Sequence, residues 1–356
     1  MGKLIGLALI LLLIADSAAA WGARGHHIIS VVAARLLAED VRTRETLGLQ
    51  LLEKEYLVSH VSNLPDVSWR NGDPEIKNKN WPTHFVDIEY LADPKQKLDV
   101  KLLPRTMAEF KKAISTNCKQ KSPCPSGEAW PEKLRTAGHL SLRIEQLSDR
   151  LLDSFKNLAR KRGKGEFPRE ATATVDEILV RIGLLSHFVG DISNPLHTSI
   201  NYNGQLSQQA GIHSYFEEHV VNALDLDLIQ KVFKQVRNSK PFESQIKDRH
   251  QPKDTLDIIH AYGIESHKSL EMLLGIDRKY SILELSGPMK RSKRRPAHEV
   301  AKHYEAYTVQ QLSLASDVLK HLILEAWLKA GQPSLAGYRS YFFPLDVDYI
   351  PADYLK

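Results

Sequence analysis

The chain has 356 residues, of which 42% are hydrophobic and 26% are charged, and its formal net charge is +5. This composition is typical of a globular protein and excludes a disordered, collagen-like or low-complexity chain. The small positive charge allows attraction to phosphate-bearing surfaces without distinguishing a nucleic acid from an anionic lipid. The most basic stretches, Lys156 to Arg169 and Lys290 to Arg295, are interpreted as solvated loops.

The first twenty residues have the pattern of a secretory signal. Lys3 precedes an apolar run from Leu4 to Ala15, and small residues follow up to Ala20. These zones, in this order, favour cleavage after Ala20 over a buried helix. We therefore expect a signal peptide at residues 1–20, a mature chain that begins at Trp21, and a secreted or periplasmic protein. No later segment is apolar over the length that a transmembrane helix requires.

Apolar residues recur at helical spacing through most of the chain, whereas strand patterns are few. These observations predict an all-α, mainly helical single domain. The longer connections run from Ser62 to Pro82, Thr116 to Trp130, Lys161 to Ala171 and Tyr202 to Gly211. The helical runs are Ile28 to Leu37, Leu134 to Leu158, Val175 to Val189, Tyr215 to Val232, Thr255 to Leu274 and Val300 to Trp327.

One predicted helix carries a histidine and a carboxylate on the same face. A capping-box pattern at Thr174 predicts its start, and Pro195 predicts its end. His187 and Asp191 lie four residues apart, so their side chains leave the helix one turn apart. The two side chains could bind one cation, and the helix end would turn His197 back toward that face. The alternative is a structural histidine with a capping aspartate.

A second pair with the same spacing follows at His213 and Glu217. Imidazole and carboxylate are ligands that suit zinc. Glu218 and His219 fall on other faces of this helix and are interpreted as solvated. By itself, such a pair is more often a surface ion pair.

Two earlier side chains are candidate ligands of lower specificity. Asp66 lies in a predicted loop, where it could also be an ordinary turn residue after a proline. His84 begins an extended apolar segment. Asp73 and Asp87 are rival carboxylates in the same region.

The predicted mature N-terminus offers further donors. A free α-amine has a pKa near 8, so a cation can displace its proton at little cost, and the carbonyl oxygen of the same residue can complete a chelate. Trp21 and His26 could therefore bind a metal ion. The alternative is that both residues only pack the first helix.

The two cysteines, Cys118 and Cys124, lie in a loop-like segment. An exported chain meets an oxidising compartment, so we expect them to form a disulfide. Any metal site must then use histidine, carboxylate and backbone donors.

In order, these motifs resemble the superfamily that joins zinc-dependent phospholipases C with single-strand-specific zinc nucleases. The resemblance covers about Trp21 to Val232 and depends on the order of several weak motifs. They are Trp-Gly-x-x-Gly-His at Trp21, Asp66 followed by His84, His-x-x-x-Asp-x-x-x-x-x-His from His187, and His-x-x-x-Glu from His213.

The resemblance implies an all-α fold with a cleft that holds three zinc ions. It also implies a zinc-dependent phosphodiesterase catalytic domain, which we assign to residues 21–274. Residues 275–356 carry none of these motifs and are interpreted as a C-terminal helical extension of unknown role, packed on the same domain. Asp66 would double as the catalytic proton acceptor for the attacking water. The implied ligands are Asp66, His84, His187 and Asp191 for one ion, His197, His213 and Glu217 for the second, and the amine and carbonyl of Trp21, His26 and a bridging Asp191 for the third.

Two features favour the phospholipase C branch, whose members cleave glycerophospholipids to diacylglycerol and a phosphorylated head group. The final ligand is Glu217, where the nucleases generally carry Asp, and His213 follows His197 by only sixteen positions. The short spacing from Trp21 to His26 is instead similar to the nucleases, and the stretch from His84 to His187 is longer than in either branch.

The expected partner is a phospholipid or another phosphodiester, with transient contact to a membrane surface and no obligate protein partner. The first alternative is a nuclease that hydrolyses DNA, RNA or 3′-nucleotides, and the second is a non-catalytic zinc-binding protein. Four aromatic residues could hold a choline cation or stack on bases, although ordinary packing would also explain them. They are Trp69, Trp81, Tyr202 and Tyr215.

Overall fold

A computed structural model describes residues 21–91, 98–118, 137–163, 165–287 and 290–339 of the protein. The predicted signal peptide at residues 1–20 lies outside these ranges. Cys124 also lies outside them, so its disulfide with Cys118 stays a prediction. In the part of the chain that is described, no helix has both the length and the hydropathy needed to cross a membrane.

The described chain is an all-α domain with one small β-hairpin, which confirms the predicted fold class. Strands β1 (Ile282–Glu284) and β2 (Lys293–Arg294) pair antiparallel. Short π-helical segments lie at Arg44–Gly48, Pro65–Trp69, Tyr215–Val220 and Asp277–Ser281, and 3-10 turns lie at Trp81–Thr83, Val100–Leu102, Arg169–Ala171 and Pro195–His197. The α-helices are α1 (Gly22–Glu39), α2 (Leu49–Glu53), α3 (Glu55–Val61), α4 (Pro74–Asn80), α5 (Ile88–Leu91), α6 (Met107–Cys118), α7 (Leu140–Arg162), α8 (Thr172–Ser193), α9 (Ile212–Ser214), α10 (Val221–Ala223), α11 (Leu228–Asn238), α12 (Phe242–His250), α13 (Thr255–Lys268), α14 (Leu270–Ile276) and α15 (Ala297–Lys329).

The hydrophobic core lies between α1, α7, α8 and α15, where α8 and α15 each contact the other three helices. Helix α8 is apolar on nearly every side, as expected for a helix surrounded by others. Helix α15 adds Tyr304, Leu312 and Leu319 to the same core, so residues well beyond position 275 belong to this domain. The central helix α8 also buries His187 and Asp191 completely.

Several predicted helix boundaries were wrong. The Thr174 capping box is not formed, because the 3-10 turn Arg169–Ala171 leads directly into α8, which begins at Thr172 without a side-chain cap. The predicted helix from Tyr215 to Val232 is interrupted where Leu224 becomes extended, with φ −72° and ψ 157°.

Other boundaries also differ from the sequence prediction. The run that begins at Leu134 is interrupted at Gly138 and His139 before α7 begins at Leu140, and Ser269 separates α13 from α14. The supposed loop from Ser62 to Pro82 contains a π-helical segment and α4, and the basic stretch that begins at Lys156 continues α7 as far as Arg162. Pattern analysis therefore placed most helices correctly but not their ends.

Candidate metal centre

The end of α8 directs three candidate ligands toward one another. His187 and Asp191 leave the same face of the helix, as their four-residue spacing predicts. Asn194 is extended and ends the helix, and its side-chain oxygen accepts a hydrogen bond of 3.1 Å from the backbone nitrogen of Leu196. The 3-10 turn that follows brings His197 back toward this face.

Eight of the predicted ligand side chains form three groups whose donor atoms lie within 4.8 Å of one another. The donor types and the distances between them allow each group to hold a metal ion. His187 belongs to two of the groups, which therefore adjoin. The first group is Asp66, His84 and His187, the second is His197, His213 and Glu217, and the third is His26, His187 and Asp191.

The first group joins the loop after α3 to the middle of the fold. The Nδ1 atom of His84 lies 3.1 Å from Nε2 of His187 and 3.8 Å from Oδ1 of Asp66. Asp191 extends this group, because its Oδ2 atom lies 2.9 Å from the same His84 nitrogen. The four ligands that the resemblance implies for one ion thus lie together.

The second group has the tightest geometry. His197 Nε2 and His213 Nε2 lie 3.0 Å apart, and Glu217 Oε1 lies 3.1 Å and 2.9 Å from these two nitrogens. Donors about 2.1 Å from one tetrahedral zinc ion lie about 3.4 Å from one another, so this triangle has nearly the required dimensions.

The third group contains His26 from α1. Its Nε2 atom lies 3.5 Å from Asp191 Oδ1, and its ring stacks on His187 with centroids 4.2 Å apart. Gly190 permits this approach, because a Cβ atom at that position would lie 2.7 Å from Nδ1 of His26. Helices α1 and α8 are therefore close enough to share one ion.

Trp21 is fixed immediately beside this group. Its indole ring is fully buried, and the ring nitrogen donates hydrogen bonds of 2.8 Å to the carbonyl of Gly190 and 2.7 Å to the hydroxyl of Ser193. Trp21 adopts a left-handed conformation with φ 45°. These contacts hold Trp21 in place, as is required whether the residue binds a metal ion or only packs the first helix.

Backbone carbonyls orient two of the histidines. Nδ1 of His187 lies 2.8 Å from the carbonyl oxygen of Ser62, and Nδ1 of His197 lies 2.6 Å from that of His84. If each Nδ1 carries the proton and donates it, each Nε2 presents its lone pair to the ligand group. Metal-binding histidines typically use this arrangement.

Sequence reasoning missed two asparagines and an arginine at the site. The side-chain nitrogen of Asn80 lies 2.8 Å from His84 Nε2, and that of Asn194 donates to Glu217 Oε1. Arg70 Nη1 lies 3.9 Å from Asp66 Oδ1. The sequence analysis interpreted Asn194 only as part of a helix end. The signals that could have identified the other two residues are the four-residue spacings from Asn80 to His84 and from Asp66 to Arg70.

The centre is open on one side. The side chains of Asp66 and His84 are 12% and 13% exposed, whereas those of His187, Asp191 and Glu217 are fully buried. Both exposed ligands come from irregular segments rather than from the central helices. A molecule from solvent would therefore reach the centre through Asp66 and His84.

Burial shifts the pKa values of three ligands in the direction that favours the neutral side chain. Desolvation raises the pKa of Asp66 to about 6, although the nearby His84 opposes this shift. Desolvation also raises the pKa of Asp191 well above its ordinary value and lowers the pKa of His84 to about 4. The neutral imidazole is the form that binds a metal ion.

His197 and Glu217 behave as an ion pair. Burial disfavours the charged form of His197, but hydrogen bonding and the charge of Glu217 outweigh it and raise its pKa to about 9. Burial also opposes ionisation of Glu217, but the charges and hydrogen bonds of His213 and His197 lower its pKa. A bound cation would replace the proton that His197 holds.

Two carboxylate oxygens and one imidazole nitrogen are among the buried atoms at the centre that have no hydrogen-bond partner within the described residues. They are Asp191 Oδ1, Glu217 Oε2 and His213 Nδ1. Leaving a buried carboxylate oxygen unsatisfied is costly, and a cation supplies the missing partner. The residues present thus fit a site for metal ions, as expected from the sequence.

The rival carboxylates do not belong to these groups among the described residues. Asp73 caps α4 by accepting a hydrogen bond of 2.7 Å from the backbone nitrogen of Glu75. A further acidic group, formed by Asp225, Asp227 and Glu305, is satisfied by Lys231, whose Nζ lies 2.9 Å from Asp227 and 2.6 Å from Glu305.

The four aromatic candidates occupy different environments. Tyr202 is 53% exposed, and its ring centroid lies 6.4 Å from that of the ligand His213. Trp81 is 46% exposed and packs its edge on Phe85, whereas Trp69 is partly buried against the core. The hydroxyl of Tyr215 donates to the carbonyl of Arg295, so this residue serves the fold.

Comparison of the chain with protein-family models, with curated proteins and with solved structures gives no match. Inference about the function of the protein therefore depends on its own residues and their arrangement.

Proposed function

We propose that the protein is a secreted zinc-dependent phosphodiester hydrolase that binds three zinc ions. The observation that carries this proposal is the convergence of eight side chains, predicted from motif spacing and motif order, on three groups of donor atoms. Structural zinc sites are closed and commonly use cysteine. A cysteine-free centre with one open side is better suited to catalysis.

The donor set favours zinc over other common ions. Imidazole nitrogens provide five of the eight side-chain donors, and carboxylates provide the rest. Calcium and magnesium prefer oxygen ligands, whereas histidine and carboxylate together suit zinc. One ion would be held by Asp66, His84, His187 and Asp191, a second by His197, His213 and Glu217, and a third by Trp21, His26 and Asp191.

Clustered zinc would supply hydroxide near neutral pH and neutralise charge on the phosphate and on the departing oxygen. The chain would contribute proton transfer and orientation. Asp66, one of the two more exposed ligands, would accept a proton at its carboxylate. Arg70 would orient an anionic substrate there, because its guanidinium lies at the same opening.

Among phosphodiesters, we propose a glycerophospholipid as the substrate, cleaved to diacylglycerol and a phosphorylated head group. Tyr202 supports this choice, because its exposed ring beside His213 would receive a choline cation. The same ring would stack on a base if the substrate were a single-stranded nucleic acid. An experiment must therefore compare both substrate classes.

The test uses the mature chain beginning at Trp21, stripped of metal with a chelator and reloaded with zinc. We expect hydrolysis of phosphatidylcholine vesicles and of a water-soluble choline phosphodiester, with little cleavage of single-stranded DNA. Rapid DNA cleavage with inert lipid would favour the nuclease. Bound zinc near one ion per chain without any phosphodiesterase activity would instead favour a non-catalytic zinc protein.

Two adjacent glutamates provide a matched control. Glu217 is fully buried among His197 and His213, whereas Glu218 lies outside the three groups. Glu217→Gln should lose zinc and on the order of 100-fold or more of the activity, because a neutral amide is a poor ligand. Glu218→Gln should retain both. Equal effects of the two changes on zinc content would contradict the ligand assignment.

A further inference from the structure

The first turn of α1 packs against the helical segment that carries Glu217. This segment runs without a break through α9, the π-helical residues after it and α10, and we call its residues 212–223 the Glu217 helix. The ring of Trp21 contacts that of Phe216, with centroids 5.4 Å apart. Gly22 has φ 55°, and a Cβ atom there would lie 3.1 Å from the carbonyl oxygen of Glu217. The predicted mature N-terminus therefore lies beside the second ligand group.

Arg24 joins this first turn to the end of the Glu217 helix. The last carbonyls of a helix have no partner within the helix, and a guanidinium both donates to them and carries the charge that their dipoles favour. Arg24 therefore caps the Glu217 helix from a different element. Its Nη1 atom donates to the carbonyl oxygens of Val221 at 2.8 Å, Asn222 at 3.2 Å and Leu224 at 2.7 Å, and its Nη2 atom donates to that of Asp225 at 2.5 Å.

The same turn has a second attachment, to α8. The indole nitrogen of Trp21 donates to the carbonyl of Gly190 and to the hydroxyl of Ser193. The indole and the guanidinium of Arg24 thus hold one turn of helix against two different elements. A single attachment would leave the turn free to pivot about it, whereas two attachments fix its direction. Chain ends are poorly ordered unless such contacts hold them.

The direction of this turn matters because the turn would present two ligands at once. The amine of Trp21 and the imidazole of His26 are assigned to the third ion in the proposed function. Nε2 of His26 already lies 3.5 Å from Oδ1 of Asp191, which is assigned to the same ion. Amine and imidazole bind one ion only if both reach it together, so a turn that pivots would lose the ion while the surrounding fold remains.

We propose that Arg24 is a positioning residue for the third metal ion. It ties the mature N-terminus to the end of the Glu217 helix and thereby holds the amine of Trp21 and the imidazole of His26 in place. This inference rests on the proposed function, in which these two groups bind zinc. The motif Trp-Gly-x-x-Gly-His leaves position 24 unspecified, so the motif alone assigns Arg24 no role.

Arg35 provides a matched control on the same helix. It lies eleven residues further along α1, about three helical turns from Arg24. It donates from Nε and Nη2 to the two carboxylate oxygens of Glu55 in α3, each at 2.9 Å. Replacing either arginine therefore removes an attachment of α1 to a neighbouring element. Only the replacement of Arg24 removes one at the first turn.

The test titrates zinc into the metal-free mature chain and into the variants Arg24→Met and Arg35→Met. Methionine retains an unbranched side chain and removes every hydrogen-bond donor. Arg24→Met should weaken the binding of one of the three ions at least about tenfold, as the loss of a contact that orients a ligand typically does. Arg35→Met should lower the melting temperature, because Glu55 loses its partner, but should bind all three ions as the unmodified chain does.

A chain with one additional glycine before Trp21 identifies the affected ion. Its terminal amine is displaced from the site, so it should bind two ions tightly. Adding Arg24→Met to this chain should not weaken the binding of these two ions further, because both changes act on the same third ion. A further tenfold loss of affinity for either ion would contradict this assignment.

A second readout uses the metal-free chains and does not depend on zinc. Hydrogen–deuterium exchange of the peptide that covers residues 21–29 reports whether the first turn of α1 is held. Exchange should become at least about threefold faster in Arg24→Met, because opening of this turn becomes easier. It should stay near that of the unmodified chain in Arg35→Met.

Unchanged exchange and three tightly bound ions in Arg24→Met would overturn the proposal. Loss of the same ion in Arg35→Met would also overturn it, since the effect would then come from the docking of α1 in general. Fewer than three ions in the unmodified mature chain would contradict the proposed function instead. In that case, faster exchange in metal-free Arg24→Met would still support the anchoring of the N-terminus by Arg24, and unchanged exchange would overturn it.

Discussion

Asp66 illustrates how a single residue can destabilise the metal-free protein while serving the loaded one. Its carboxylate is almost buried, near Asp191 and His84, and burial raises its pKa to about 6. A group with a raised carboxylate pKa binds its proton more tightly in the folded than in the unfolded state. The contribution of Asp66 to the free energy of unfolding of the metal-free protein should therefore decrease as pH rises from about 4 to about 6.

The substitution Asp66→Asn tests this reasoning. Without metal at pH 7.5, the variant should melt at a higher temperature than the unmodified chain, because it buries no charge at this position. Its melting temperature should also change less between pH 4 and pH 6. Added zinc should then raise the melting temperature of the unmodified chain more than that of the variant. Identical pH profiles in the two metal-free proteins would contradict the buried-carboxylate argument.

The same variant separates the two roles assigned to Asp66. If the carboxylate accepts a proton from the attacking water, turnover should decrease far more than zinc content. Activity and zinc lost in equal proportion would leave Asp66 as a ligand only. Zinc content by atomic spectroscopy and turnover on the water-soluble diester provide the comparison.

At the scale of secondary-structure elements, the approach of α1 to α8 positions His26. Gly190 makes this approach possible, because a Cβ atom there would lie 2.7 Å from His26 Nδ1 and 3.1 Å from a methyl carbon of Ile29. Both neighbours are buried, so neither can move freely.

Gly190→Ala should therefore displace His26. We expect a loss of about 1–3 kcal/mol in the free energy of unfolding and a weakened affinity for the ion that His26 would bind. Gly275→Ala is the control, since a Cβ atom at that helical position meets no atom within 4 Å and should instead stabilise α14 slightly. Urea unfolding and zinc titration measure both effects. Similar behaviour of the two alanine variants would argue against this contact.

Helical spacing made part of the metal centre predictable from the sequence. His187 with Asp191 and His213 with Glu217 stand four residues apart, and such pairs share a face wherever a helix forms. Helical spacing could not identify Asp66 and His84. They lie in a short π-helical segment and just after a 3-10 turn, and the directions of these segments depend on tertiary packing. Only their order along the chain, through the family resemblance, identified them.

Helix ends and supporting contacts were harder to predict for the same reason. Thr174 had suitable neighbours for a cap, but the turn after Pro168 began α8 earlier. The carbonyl of Ser62 supports His187 from 125 positions away, and no local pattern records such a contact.

At the scale of the whole molecule, processing of the chain is expected to complete the third metal site. The proposed ligands include the amine of Trp21, which exists only after the residues before it are removed. A secreted chain that begins at Trp21 should bind three zinc ions. A chain with one additional glycine before Trp21 should bind two, because an amide nitrogen is a poor donor.

Zinc content and activity of these two mature chains test the role of the amine. The additional glycine should leave the buried indole contacts to Gly190 and Ser193 intact, so the melting temperatures of the metal-free forms should agree. Equal zinc content in the two chains would show that Trp21 only packs the first helix.

The three ligand groups differ in how much of the chain must be brought together to form them. His197, His213 and Glu217 lie within one short stretch, whereas the group containing His26 joins the first helix to α8. Closing a short loop costs less entropy than closing a long one. During refolding, the short stretch is therefore positioned to capture an ion first, and the remaining ions would follow only when α1 docks.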